Sequence, residues 1–312
     1  MKINKIFIGS FVAILGLILV EFYIYINYSK LSNKDIHISF VVSGENLDYF
    51  ESMKSGADNA ALDNNCIVNF SNSPYSMGVE GEIDLINRQF SDGADYVFVD
   101  SGYYEDLVTF IDDNKLEDRV FFIKSGSATD SSKGVFADDY RMGLDYARLI
   151  IEENEAHRLI AIYHMDNINN KNFLEGLQDG LASSDTSIAV RQVKGTDEQV
   201  RQSIYNYKQS GLYDGIVAID STTVECVVHV MSNTSKELPV YCVDDRQEAV
   251  YYLDSGVTQA LALKDDYSLG FIAVKAILRE DVNLEDIPLY YIVTKEDIYS
   301  ERYEKVLFPF AK

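Results

Sequence analysis

From Asp35 onward, short β-type runs alternate with amphipathic helical stretches. That alternation restricts the chain to parallel sheets with helices packed on their faces. The first run is Ile36 to Val42, and the helix after it sets Phe50, Met53, Ala57, Ala60 and Ala61 on one face. Ile67 to Phe70 follows, then a helix with Val79, Ile83, Ile86 and Phe90 inward, then the runs Tyr96 to Val99 and Val120 to Ile123. The pattern then restarts with Leu159 to Tyr163 and a helix carrying Phe173, Leu174, Leu177 and Leu181. Ile188 to Val190, a helix around Val200 and Ile204, and Gly215 to Ile219 come next. A helix through Val227 and Met231, Val240 to Val243, and Gln259 to Leu263 continue it, and Leu269, Ile272, Ala273, Ala276 and Ile277 define one more helix. Two rounds of similar length predict two similar lobes rather than one large sheet. With four prolines and no low-complexity stretch, the chain offers no long flexible linker between them.

The 312 residues, 47% of them hydrophobic, supply core enough for two such units. Acidic residues outnumber basic ones by 50 to 27, a net charge of −23. Such a chain lacks the basic face that phosphate binding requires, so a nucleic-acid partner is excluded. The three cysteines, Cys66, Cys226 and Cys242, form no CxxC pair and read as small buried residues, with a Cys226–Cys242 pairing as the alternative.

Residues 1–34 read as a cytoplasmic stub, an anchor and a linker. Lys2 and Lys5 precede Ile6 to Tyr28, in which Glu21 is the sole charged residue. As a helix these residues would span ~34 Å, enough to cross a bilayer. The basic flank places the N-terminus inside and the rest of the chain outside. A cleaved signal peptide is the competing reading, but bulky residues from Glu21 to Tyr25 offer no small-residue cleavage site.

Ligands of open parallel sheets bind beyond the carboxyl ends of the strands. In this chain those positions hold Ser43 to Asn46, Asp100 to Tyr103, and Lys124-Ser125 in the first round. In the second round they hold His164 to Asp166 with Lys171 beyond, Asp220-Ser221, Asp244 to Arg246, and Lys264 to Asp266. Asp and Ser at such turns are also favoured helix caps. The recurrence of polar groups across strands is what marks a binding mouth.

These residues resemble the ribose- and galactose-type periplasmic binding proteins, whose fold the lactose-repressor family shares. Tyr49 to Ala57 is similar to the family's first helix, with an aromatic pair ahead of it. Asp138-Asp139-Tyr140-Arg141-Met142-Gly143 resembles its "DNYxxG" crossover, with Asp139 for the usual Asn. Phe173 to Leu177, Ala218 to Val224, Cys242-Val243-Asp244 and Asp266 to Gly270 resemble four further motifs, in order and in register. The resemblance implies an α/β fold of two Rossmann-like lobes with parallel sheets, joined by a three-strand hinge and here preceded by one transmembrane helix. It implies crossings near Ala137-Asp138, near Lys264-Asp265 and after Pro288. The first lobe would then hold residues 35–137 and 265–290, and the second residues 138–264 and 291–312.

Carried over residue by residue, the resemblance makes Tyr49 and Phe50 the stacking aromatics and Asp244 the carboxylate that accepts sugar hydroxyls. Asp220 stands where the family has Asn, Lys171 near a family Arg, and Lys264 where Gln or Asn is common. Lys124-Ser125 replace an Asp-Arg pair, and Tyr103 replaces an Asp. With Asp138 at the first crossing, Tyr49, Phe50, Tyr103, Ser125, Asp138, Lys171, Asp220, Asp244 and Lys264 form the expected ligand set.

The function implied is capture of a small sugar-like solute outside the cell for an ABC permease. Sensing on behalf of a membrane sensor kinase is the alternative. A repressor is excluded because an apolar span stands where a basic helix-turn-helix would be needed. No enzyme motif is present: the histidines (His37, His157, His164 and His229) lack HExxH spacing, and there is no GxSxG elbow and no Walker loop. Asp112-Asp113-Asn114 begins like a calcium loop without its Gly and Glu. No cofactor and no metal is expected.

Overall fold

The computed structural model describes residue 21 and residues 35–43, 50–62, 64–126, 133–232, 238–279 and 289–308. Of the expected membrane span only Glu21 falls among them, and the stretch around Pro288 falls outside them. Among the described residues no helix is long and apolar enough to cross a membrane.

The first sheet has the order β2-β1-β3-β4-β5 and is parallel throughout. Its strands are β1 (Ile36–Ser43), β2 (Cys66–Ser73), β3 (Tyr96–Asp100), β4 (Val120–Ile123) and β5 (Gly134–Val135). The helices between them are α1 (Glu51–Ala61), α2 (Gly78–Ser91) and α3 (Tyr104–Asn114). Successive side chains alternate between two cores, one on each face. Ile38, Phe40, Phe98 and Ile123 face α1, whereas Val41, Val97, Val99 and Phe122 face α2 and α3. Strands covered on both faces read as continuous apolar runs, which is why they were visible in the sequence.

The second sheet repeats the plan in the order β11-β10-β9-β8-β6-β7. It is built from β6 (Arg158–Tyr163), β7 (Ser187–Gln192), β8 (Gly215–Ile219), β9 (Val240–Val243), β10 (Ala260–Lys264) and β11 (Tyr290–Thr294). Its helices are α4 (Asp139–Glu153), α5 (Ile168–Leu181), α6 (Asp197–Ser210), α7 (Ser221–Ser232), α8 (Gln247–Asp254) and, last in the chain, α10 (Glu301–Leu307). Here too the strands alternate: Ile160, Ile216, Cys242 and Leu261 face one core, and Ala161, Val217, Tyr241 and Ala262 the other. The expectation of wholly parallel sheets is corrected at one edge. β11 runs antiparallel to β10, pairing Tyr290 with Lys264, so Tyr290 belongs to the second sheet.

The helix α9 (Asp266–Ile277) follows β10 in the chain but packs on α1, and its Leu269, Ala273 and Val274 lie in the first sheet's core. In the second lobe α4 packs on α5 in the same way. Both pairs approach closely enough to exclude a β-carbon. One placed on Gly56 would lie 2.0 Å from Tyr267 O, and one on Gly176 would lie 1.9 Å from Tyr140 O. The two sites are related by a short internal repeat, Asp138-Asp139-Tyr140-Arg141-Met142-Gly143 and Asp265-Asp266-Tyr267-Ser268-Leu269-Gly270. In each copy the first Asp caps the helix, Asp138 accepting from Arg141 N and Asp265 from Ser268 N, both at 2.9 Å. The final glycine of each copy receives the backbone of the facing helix.

Because the obstacle is backbone rather than a movable side chain, Gly176→Ala must push α4 and α5 apart. Overpacking of this kind costs about 1–3 kcal/mol, read as a lower urea midpoint with an unchanged m-value.

Candidate functional site

The carboxyl ends of the two sheets meet across a set of buried charges. Lys124 follows β4 and adopts a left-handed backbone, φ 62°. Its ammonium lies 2.9 Å from Asp266 at the start of α9 and 2.9 Å from Asp245, which follows β9 of the opposite lobe. Lys264 closes β10, and its ammonium lies 2.8 Å from Oδ1 and 3.0 Å from Oδ2 of Asp139, at the start of α4. The same ammonium donates to the Lys124 carbonyl at 3.3 Å, and Asn169 Nδ2 of α5 donates to that carbonyl at 3.4 Å. The repeat therefore supplies both lysines with their partner: its second aspartate sits at the first turn of a helix, where the dipole favours a negative charge.

Asp245 also accepts from the backbone N of Lys264 at 2.7 Å. Asp244, its neighbour, is held by Arg246, whose Nε lies 3.1 Å from each carboxylate oxygen and whose Nη2 lies 2.8 Å from Oδ2. In the first lobe the Ser125 hydroxyl donates to Asp100. Glu82, on α2 and only 1% exposed, accepts hydroxyl hydrogen bonds from Ser43, Ser73 and Ser101, which stand at the ends of β1, β2 and β3.

Burial and Coulomb attraction compete at each of these groups. Burial pushes the carboxyls of Glu82, Asp139 and Asp266 each up to about 6, even though serine hydroxyls or a lysine pull against it. Burial raises Asp100 too, opposed by Lys124 and Ser125. At Asp245 burial is overcome by Lys124 and Lys264, and its carboxyl lies below the usual range. Burial pulls the Lys124 ammonium down, but Asp245, Asp266 and Asp100 outweigh it and hold it charged well above the ordinary lysine range.

The residues expected at the ligand fall in different surroundings. Tyr49 lies outside the described residues. Phe50 is 2% exposed and packs inward on Phe70, with ring centroids 5.9 Å apart, as its helical spacing with Met53 and Ala57 requires. Asp138 is exposed and spent on its cap, and the buried carboxylate of that crossing is Asp139. Lys171 is exposed and lies 3.6 Å from Asp166. Asp220, at φ 95°, spends its carboxylate on the backbone N of His164 (2.5 Å), Met165 (3.0 Å) and Thr223 (3.0 Å). Those bonds offset a backbone conformation that costs about 1–3 kcal/mol in a non-glycine residue. Tyr103 is half-buried at the start of α3, its backbone N on Ser101 Oγ at 2.8 Å. Ser125, Asp244 and Lys264 are the expected residues that lie buried among the charges at the strand ends. Lys124, Asp100, Asp139, Asp245, Asp266 and Glu82 complete the group. The three cysteines are unpaired, and among the described residues no His, Cys, Asp and Glu group is arranged to hold a metal ion.

Residues 38–280 match the periplasmic binding protein domain. The chain belongs to the periplasmic binding protein family. Solved structures of this fold agree closely in shape at low identity. A glucose-galactose binding protein from Geobacillus stearothermophilus has a TM-score of 0.70 at 17% identity, covering 85% of this chain and 99% of its own. A carbohydrate transporter solute binding protein from Agrobacterium radiobacter, in complex with D-arabinose, has a TM-score of 0.72 at 15% identity, covering 88% and 99%. A periplasmic ribose ABC transporter protein from Conexibacter woesei has a TM-score of 0.71 at 15% identity, covering 88% and 96%. No curated protein matches the sequence. Within the periplasmic binding protein family, then, this chain has buried lysine–aspartate pairs at the carboxyl ends of strands from both of its sheets.

Two measurements test this electrostatic account. Lys124→Met leaves Asp100, Asp245 and Asp266 without their shared cation, and breaking a buried pair from one side costs about 3–5 kcal/mol, read by urea unfolding. Carboxyls whose folded values are raised bind more protons folded than unfolded, so their contribution is a stability that is lost as pH rises. For Glu82, Asp139 and Asp266 that window runs from the unfolded values, 4.5 for Glu and 3.8 for Asp, up to about 6. Unfolding free energy is expected to fall across that interval, and Glu82→Gln is expected to flatten the fall.

Proposed function

We propose that this chain is an extracytoplasmic solute-binding protein that takes a small, sugar-like polar molecule between its lobes and passes it to an ABC permease. It acts by binding and closure, not by catalysis. The observation that carries the reading is the meeting of both lobes at polar strand ends. Lys124 of the first lobe pairs with Asp245 of the second, and the carbonyl of Lys124 accepts from Lys264 and Asn169. Sheet ends of this kind are where parallel α/β folds hold ligands. Membership of the family supports the binding role. The sugar and ABC-transporter descriptions of the structural neighbours support the solute class and the permease.

In this reading residues 35–137 and 265–289 close against residues 138–264 and 290–308. Ser125, Asp244 and Lys264 face the solute, joined by Lys124 and Asp245, which exchange their present partners for its polar groups.

Binding to the folded state raises the melting temperature by linkage, by about 2.7 kcal/mol of stabilisation at a hundredfold excess over Kd. A panel of monosaccharides and polyols is expected to contain at least one that shifts the melting curve upward. Lys264→Met is expected to abolish that shift while leaving the fold's circular dichroism intact. A panel without any shift overturns the solute class, and a shift that survives Lys264→Met overturns the placement of the site.

A further inference from the structure

The charges at the strand ends do not balance. Among the described residues, the ammoniums of Lys124 and Lys264 face four carboxyls: Asp100, Asp139, Asp245 and Asp266. Arg246 does not make up the difference, because both oxygens of Asp244 already engage it. Glu82 adds a further buried carboxyl beside Asp100. Burial raises the carboxyls of Asp139, Asp266 and Glu82 to about 6, so near neutral pH the surplus stands mostly as negative charge that burial disfavours.

A second observation is independent of this count. Two acceptor oxygens, Asp266 Oδ1 and Asn169 Oδ1, are buried without a hydrogen-bond partner. Both belong to residues that touch Lys124: Asp266 holds its ammonium with the other oxygen, and Asn169 donates to its carbonyl. Asp266 is only 8% exposed, and a buried carboxylate oxygen left unpaired is costly. The place around Lys124 is therefore short of donors and short of positive charge. A hydroxyl supplies one donor and no charge. An alkylammonium supplies three donors, no acceptor and a full charge.

We propose that the solute is cationic: an amino sugar or similar polyhydroxylated amine, whose ammonium is received by Asp266 and Asn169 beside Lys124. This rests on the reading of the strand ends as a solute site and narrows its ligand class. The hydroxyls of such a ligand find acceptors at Asp100 and Asp245 and donors at Lys124 and Lys264. Its ammonium offsets the surplus negative charge of these carboxyls.

The test is titration calorimetry of the full-length chain at neutral pH with D-glucosamine and D-galactosamine against D-glucose, D-galactose and N-acetyl-D-glucosamine. The amino sugars are expected to bind at least about tenfold tighter than their neutral counterparts, the scale of one charge-assisted hydrogen bond. Asp266→Asn keeps the shape and removes the charge, and is expected to bring the two classes to near parity. If that variant does not fold, Asn169→Asp adds a carboxylate beside the Lys124 carbonyl and is expected to widen the preference for the amino sugars.

Neutral or N-acetylated sugars binding as tightly as the amino sugars would overturn the cationic class and leave the solute-binding function standing. Binding of neither class would overturn both. An amino-sugar preference unchanged in Asp266→Asn, or in Asn169→Asp where that is the variant used, would overturn the assignment of the ammonium to this place.

Discussion

Everything at the mouth of this protein is arranged around one buried ammonium, that of Lys124. Its own strand, β4, sets it at the carboxyl end of the first sheet, and its partners come from the start of α9 and from the end of β9 in the second sheet. An ion pair on the surface contributes little, and a buried one mostly repays its own desolvation. Well-packed apolar side chains at these positions would give comparable stability. What they could not give is one ammonium that gathers carboxylates from the start of α9 and from the end of β9. Lys264 and Asp139 form the corresponding pair within the second lobe, and the contact from Lys264 to the Lys124 carbonyl links the two.

The repeat Asp-Asp-Tyr-x-x-Gly explains how this was built twice. Within six residues it caps a helix, places a carboxylate at the first turn beside a lysine, presents a tyrosine carbonyl to a facing glycine, and ends in a glycine that admits the facing backbone. Charge placement and helix packing are therefore coupled. A change that moves α9 relative to α1 also moves Asp266 relative to Lys124.

The strands and most long helices were legible because strands buried on both faces leave unbroken apolar runs. The elements that escaped notice had weaker signatures. α3 buries Tyr104, Leu107 and Ile111, but acidic residues crowd between them. β5 has two residues, and β11 is a short edge strand running against its neighbours. At the strand ends the sequence singled out the turns that carry the buried charges, but not always the buried member of each turn. In the doublets Asp138-Asp139 and Asp265-Asp266, the first member caps the helix and the second turns inward, a division that composition does not reveal. Phe50 was drawn to the ligand by resemblance, although its spacing with Met53 and Ala57 had already placed it on the buried face. Glu82 was missed because it lies within a helix, away from any strand end. Its signal was present, since Glu82 shares the buried face of Leu85, Ile86 and Gln89 at helical spacing.

The position of α9 has a consequence for how the chain comes to be folded. The helix that covers α1 and completes the first core is made after every parallel strand of the second sheet. As the polypeptide emerges from its N-terminus, the earlier half must wait, with the face of α1 at Met53 and Gly56 uncovered, until residues beyond Asp266 arrive. The later half becomes self-sufficient only when β11 seals its edge, later still. Neither half can be cut out as a continuous piece and keep its own interior.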